Sequence, residues 1–136
     1  MKILATDVDR EVLARAEAGT YGLNSLREVP QPLIDSGFDC VKPAELWSPK
    51  PKLRSLLTFR RLNLIDTWPF QGRFDVIFCR NVAIYMHEDT QEQIWSAFSN
   101  VLHPDGYLFI GHTERMSPSL RSRFTIVGKT IYRREP

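Results

Sequence analysis

Phe74-Asp75-Val76-Ile77-Phe78-Cys79-Arg80-Asn81 is the stretch that decides the fold. Five of its first six residues are apolar, Val76 and Ile77 are β-branched, and the run stops at a cation and an amide. A strand wetted on one face alternates polar with apolar residues, whereas a parallel strand covered on both faces is almost continuously apolar. The stretch therefore reads as a parallel strand, which needs a crossover helix and a second strand. Both follow it. Thr90 and Gln93 can form a capping box, with Asp89 and Glu92 adding negative charge at the amino end, ahead of Ile94, Trp95, Phe98, Val101 and Leu102. His103-Pro104-Asp105-Gly106 then makes a turn, and Tyr107-Leu108-Phe109-Ile110-Gly111 is a second buried strand.

The same rhythm opens the chain. Lys2-Ile3-Leu4-Ala5-Thr6-Asp7 is β-prone, Asp9 suits an N-cap, and Val12, Leu13 and Ala16 share a helical face that Gly19 closes. Residues 20 to 61 interrupt it with Pro30, Pro32, Pro43, Pro49 and Pro51, far beyond an ordinary connection of ~2 to 6 residues. Gly37 to Val41 and Leu56 to Phe59 read as strands, and Ser48-Pro49-Lys50-Pro51-Lys52 as an exposed turn, so the insertion is a small β-lobe with a basic tip. Phe124 to Val127 and Thr130 to Arg133 read as a hairpin, with Gly128 first in its two-residue turn.

With 136 residues, the chain has enough length for one domain and too little for two substantial ones. No apolar run approaches the ~18 residues of a membrane helix, and Met1-Lys2-Ile3-Leu4 does not read as a secretory signal, so the expected location is cytoplasmic. Cys40 and Cys79 can supply neither a disulfide framework nor a four-ligand zinc site. The net charge of +2 hides alternating blocks of −3 over 1–41, +5 over 42–61, −5 over 62–114 and +5 over 115–136. Each positive block reads as a solvated face or as a surface for an acidic partner. Nucleic acid is disfavoured, because no basic stripe is interleaved with aromatics.

Ligands of open α/β sheets bind beyond the carboxyl ends of the strands, which singles out the residues following each strand. Asp7 can accept both hydroxyl protons of a ribose or can cap the helix behind it. Asn63 can meet an adenine edge or satisfy its own turn. Arg80 sits at the mouth of an apolar strand, where a bound anion, an acid such as Asp75 or the solvent must meet it. Tyr85 can be a helix-edge aromatic with a wet hydroxyl. His112 and Glu114 are too few for a metal, so none is expected. A GxGxxG loop and a nucleophile elbow are both missing.

Taken in order, Ala5-Thr6-Asp7-Val8-Asp9, Leu62-Asn63-Leu64, Phe74 to Tyr85 and Leu102 to Glu114 resemble one family, the CheR-type chemotaxis receptor glutamate O-methyltransferases. The FCRNVxIY and LxPDGxLFxGHTE segments are specific together, ATDxD is moderately so, and LNL is weak. The resemblance implies an incomplete Rossmann-like S-adenosylmethionine methyltransferase sheet carrying an inserted β-subdomain at about 20–61 and a C-terminal hairpin. It also implies methyl transfer from S-adenosylmethionine to glutamates on the cytoplasmic helices of chemoreceptors. By position, Asp7 would meet the cofactor ribose, Asn63 and Leu64 the adenine region, Cys79 and Arg80 the methionine end, and Tyr85 the transferred methyl. The inserted lobe would face a receptor tail, as it does in some members.

The family places a helical domain, a first strand and a Gly-rich cofactor loop ahead of the segment that begins at Lys2. In the family's sheet, that strand lies between this chain's first strand and Phe74–Cys79. Its absence from the 136 residues would leave two strand edges unpaired and weaken cofactor binding. Three readings follow: a piece of a longer enzyme, a split protein that needs its amino-terminal half, or an inactive module that binds receptors or another protein.

Overall fold

The computed structural model describes residues 1–42 and 45–136, which fall into two compact units, Met1–Asn63 and Leu64–Pro136. Pro43, one of the prolines of the insertion, lies outside the described residues. No helix among those described is long and apolar enough to cross a membrane.

In the first unit, β1 (Ile3–Asp7) leads through Asp9 into α1 (Arg10–Ala18). The Asp9 carboxylate accepts from the amides of Glu11 at 2.7 Å and Val12 at 3.4 Å, serving two of the donors that every helix start leaves unmatched. Gly19 stops the helix at φ 61° and donates to the Arg15 carbonyl, a left-handed cap that side chains other than glycine disfavour. The lobe follows as β2 (Tyr21–Gly22), α2 (Leu23–Leu26), α3 (Gln31–Gly37), β3 (Phe38–Val41) and β4 (Leu46–Pro49), with an antiparallel sheet in the order β2-β4-β3. The proline-rich segment expected as an open turn is the end of β4 plus a helical turn, α4 (Pro51–Arg54). Pro51 occupies the first helical position, where its missing N–H costs nothing.

β5 (Leu57–Arg61), assigned from sequence to the lobe, instead lies parallel to β1, from Ile3 opposite Leu57 to Asp7 opposite Arg61. The strands of the lobe thus lie between 21 and 49, and β5 returns the chain to the parallel layer. Strand propensity marks where a strand is; its partner is decided by tertiary packing.

The second unit is built on β6 (Phe74–Cys79), α5 (Glu88–Val101), β7 (Leu102–Ile110), β8 (Phe124–Gly128) and β9 (Ile131–Arg134), in the sheet order β6-β7-β9-β8. β6 and β7 are parallel, and the last two strands are antiparallel. Ile94, Trp95 and Phe98 of α5 bury against Cys79, Leu108, Ile110, Leu120, Phe124 and Tyr132. The Trp95 indole N–H donates to the Arg115 carbonyl at 3.2 Å, so the largest core side chain leaves no polar atom unmatched.

Three local expectations need correction. The helix α5 starts two residues before the expected cap: His87 is the N-cap, without a side-chain bond, and Thr90 already lies inside. Glu88 and Asp89 in the first turn still complement the positive end of the helix. The turn at His103–Gly106 does not precede β7 but is looped out within it. Phe74 pairs with Leu102 and Val76 with Tyr107, and Asp105 adopts φ 62° to absorb the extra residues. In the hairpin, Gly128 pairs with Ile131, leaving Lys129 and Thr130 as the loop and Val127 as a bulge, one residue from the expected register. Bulges change register without disturbing the apolar pattern, so alternation alone does not reveal them.

Candidate functional site

Each unit presents the carboxyl ends of a parallel strand pair. In the first, Asp7 ends β1, and Asn63 follows β5 by two residues, so both belong to the same end of one two-stranded layer. The Leu62 amide donates to the Asp7 carbonyl at 3.0 Å, and Arg61 Nε donates to the Val8 carbonyl at 3.1 Å, tying the two exits together. Asp7 is half-buried, and its Oδ1 accepts from the Asp9 amide at 2.9 Å. That bond is the capping role weighed from sequence. It occupies one carboxylate oxygen, while Oδ2 has no hydrogen bond among the described residues.

In the second unit, the strand ends carry Arg80 and Asn81 after β6, and Gly111 to Glu114 after β7. The Arg80 guanidinium is exposed and meets His112 Nδ1 at 3.4 Å; among the described residues no carboxylate, Asp75 included, pairs with it. Tyr85 closes a 3₁₀ turn at Ala83–Tyr85 and is 86% exposed. Leu64 packs partly buried against the core. The Cys79 side chain is itself in that core, and burial, followed by the negative charge of Glu114, pushes its thiol up to about 12. A thiol so raised is neither a nucleophile nor a metal ligand at neutral pH. What Cys79 can offer a ligand at the strand end is its backbone.

Sequence reasoning weighed Glu114 only as a metal ligand and missed its main contacts. Its side chain is 2% exposed, and its carboxylate accepts from the amides of Asn81 at 3.1 Å, Val82 at 3.0 Å, Ala83 at 2.8 Å and Gly111. Asn81 is held at φ 58°, which turns successive N–H groups toward one point, an anion-binding concavity filled by this chain's own carboxylate. Gly111 is required by the approach itself, because a Cβ there would stand 2.9 Å from the Asn81 nitrogen and 2.8 Å from Glu114 Oε2. The available signal was an acid three residues beyond a glycine at the end of a buried strand, in reach of that strand's own exit.

β1 and β6 each have one ladder partner among the described residues, β5 and β7 respectively. Val76 and Phe78 project from the same face of β6 and are 42% and 70% exposed. Phe78 stacks on Phe109 at a centroid distance of 4.6 Å.

The sequence profile described as CheR methyltransferase, SAM binding domain, matches residues 1–133. A probable chemotaxis protein methyltransferase of Rhizobium etli is 42% identical over 97% of this chain and 50% of its own length. The chemotaxis protein methyltransferase of Escherichia coli is 40% identical over 96% of this chain and 46% of its own. The chain thus spans about half the length of the curated relatives it matches. Among solved structures, the glycopeptide N-methyltransferase MtfA complexed with sinefungin aligns over 99% of this chain and 50% of its own, at TM-score 0.51 and 16% identity. That likeness bears on the fold, which is the α/β arrangement of S-adenosylmethionine-dependent methyltransferases. With the profile covering nearly every residue, the chain belongs to the CheR methyltransferase family, within its S-adenosylmethionine-binding domain.

Proposed function

We propose that the chain is the carboxyl-terminal part of the catalytic domain of a chemoreceptor glutamate O-methyltransferase. The observation that carries this reading is an exposed guanidinium, Arg80, at the carboxyl end of a parallel strand with no carboxylate partner among the described residues, in a chain of this family. The donor set suits S-adenosylmethionine. Asp7 keeps an oxygen for ribose hydroxyls, and Arg80 is a cation for the carboxylate of the methionine end. Asn63 and Leu64 are proposed for the adenine region, the Cys79 backbone for the methionine end, and Tyr85 for the neighbourhood of the transferred methyl.

When bound, S-adenosylmethionine supplies a sulfonium methyl that a glutamate oxygen accepts, giving a methyl ester and S-adenosylhomocysteine. The glutamate, of reference pKa ~4.3, is already ionised at neutral pH, so the protein need not supply a general base. Anion and cation neutralise each other as the reaction proceeds. The residues must therefore align the carboxylate and exclude water rather than add charge. Arg80 has to orient its partners without holding the glutamate more firmly than the transition state, because equal binding of both adds nothing to turnover. Tyr85, exposed on its 3₁₀ turn, would pack beside the reacting methyl and keep water from it.

The partner would be the cytoplasmic helices or tail of a chemoreceptor, with the lobe as the tail-facing part. Its tip is less free than its composition implies: Lys50 Nζ donates to the Asp35 carbonyl at 2.6 Å, and Arg54 donates to the Glu17 carbonyl. Neutral acceptors leave both charges in place, so an acidic segment would still be attracted. β1 and β6 each keep an edge unpaired among the described residues, which supports pairing with strands of an amino-terminal half, and the relatives' doubled length gives it a source.

The test is transfer of radiolabelled methyl from S-adenosylmethionine to a purified chemoreceptor cytoplasmic fragment. The chain would be supplied alone or with the amino-terminal portion of the Escherichia coli relative. Little transfer by the chain alone, and base-labile glutamate esters once the portion is added, is the expected result. Loss of that transfer in Arg80→Ala supports the role given to Arg80; unchanged turnover and cofactor affinity removes it.

A further inference from the structure

Glu114 is the most buried acid of the second unit, yet the methyl-transfer chemistry assigns it no work. Moving a carboxylate out of water is expensive unless donors replace the lost hydration, and here four backbone amides do so. Three belong to the consecutive residues Asn81, Val82 and Ala83, which run from Arg80 into the 3₁₀ turn that ends in Tyr85. The fourth belongs to Gly111, at the exit of the neighbouring strand. Oε1 receives Val82 and Ala83, and Oε2 receives Asn81 and Gly111, so both oxygens are fully used.

We propose that Glu114 is the positioning residue of the site: its buried carboxylate, gripped by the amides of Asn81, Val82, Ala83 and Gly111, sets the direction in which the chain leaves β6 and thereby where Arg80 and Tyr85 point. The catalytic half of this statement rests on the methyl-transfer reading above; the structural half does not. The path of 80–85 has no ladder of its own to define it. Asn81 lies in the left-handed region, and the Val82 and Ala83 amides receive no backbone partner in the structure. Without the carboxylate, three consecutive donors would have to find water or turn outward. Arg115, the nearest cation in sequence, donates to the carbonyls of His112 and Glu114 and leaves the carboxylate to the amides.

The charge matters as well as the shape. A glutamine at 114 has nearly the same outline but can accept through one oxygen only, and its NH₂ would face two N–H donors. An aspartate keeps both acceptor oxygens and loses one methylene of reach. Glu114→Gln and Glu114→Asp therefore separate the carboxylate from its bulk.

The deciding experiment is amide hydrogen exchange on the 136-residue chain, read by NMR at Val82 and Ala83 against Leu108 and Ile110 of β7. Glu114→Gln is expected to lower protection at Val82 and Ala83 by about tenfold or more, with β7 within about threefold of the parent, the signature of local opening. Glu114→Asp should retain more of that protection. Unchanged exchange at Val82 and Ala83, equal loss in the two variants, or equal loss throughout β7 would each overturn the proposal. If the glutamine variant does not fold, the aspartate variant alone decides, by whether its loss is confined to 81–83.

In the methyl-transfer assay described above, a positioning role lowers kcat per folded molecule in Glu114→Gln by about tenfold, with KM for the receptor fragment within about threefold. A purely architectural role leaves kcat per folded molecule unchanged, and that result would overturn the catalytic half. No transfer by the unsubstituted chain, even with the amino-terminal portion, counts against the methyl-transfer reading instead, and the exchange data then stand by themselves.

Discussion

Gly111→Ala is the sharpest test of how closely the two strand exits meet. The added Cβ would stand 2.5 Å from Asn81 Oδ1, 2.8 Å from Glu114 Oε2 and 2.9 Å from the Asn81 nitrogen. The first is a side-chain end that can swing away. The other two are a buried carboxylate and a backbone atom already bonded to each other, and neither can retreat without lengthening that bond. Overpacking of this kind costs ~1–3 kcal/mol, and a hydrogen bond to a charged group lost with it adds ~1.5–3 kcal/mol. The expected destabilisation of the second unit is therefore about 2.5–6 kcal/mol. Urea unfolding followed by tryptophan fluorescence would measure it, because Trp95 is fully buried in that unit and reports its loss. Gly72→Ala is the matched control: a Cβ there meets nothing within 4 Å, so its change should stay within about 0.5 kcal/mol. If Gly111→Ala unfolds at the same urea concentration as Gly72→Ala, the close approach, and with it the geometry of the Glu114 cradle, is wrong.

Two further outcomes follow from named contacts. Asp9→Ala removes the acceptor for Glu11 and Val12 and should cost ~1 kcal/mol in urea unfolding of the first unit, with Asp9→Asn recovering most of it; equal losses would deny the capping role. The Cys79 thiol rises from 9.0 unfolded to about 12 folded, so the folded state retains a proton that the unfolded state gives up. Its contribution to stability is complete below about pH 9 and is lost as pH climbs toward 12. Near pH ~8, Ellman's reagent should therefore titrate one thiol, the exposed Cys40, in the native chain and two in denaturant. Two thiols reacting at one rate in the native chain would refute the burial of Cys79.

What was legible in the sequence is what neighbours along the chain decide. Asp9 and Gly19 delimit α1 because a cap and a left-handed stop act within four residues, and the apolar run of β6 carries its own burial. Legibility ended where the partner lies far away in sequence. β5 was recognised as a strand and given to the wrong sheet, since nothing in Leu57–Arg61 names Ile3–Asp7 as its neighbour. The capping box at Thr90 and Gln93 had the right residues two positions inside the helix that packing selected. The turn residues His103–Gly106 were legible but not their place inside β7, and the bulge at Val127 left the apolar pattern intact and so left no trace. In the candidate site, Asp7 ends its strand, and Arg80 and Tyr85 follow theirs, as the order of the chain implies. Glu114 escaped because three of its four partners are backbone amides some thirty residues upstream, and backbone donors have no signature in side-chain identity.

The central proposal is that residues at the carboxyl ends of the parallel strands contact S-adenosylmethionine. The most direct measurement is an NMR titration of the 136-residue chain with S-adenosylhomocysteine at millimolar concentration, where even weakened binding moves resonances. The account predicts shift changes at Asp7 to Asp9, Asn63 and Leu64, Arg80 to Tyr85 and Gly111 to Glu114, reduced in Asp7→Asn and in Arg80→Ala. A titration that leaves those amides unmoved, or that moves instead Ile3, Phe74 and Leu102 at the opposite strand ends, would contradict it.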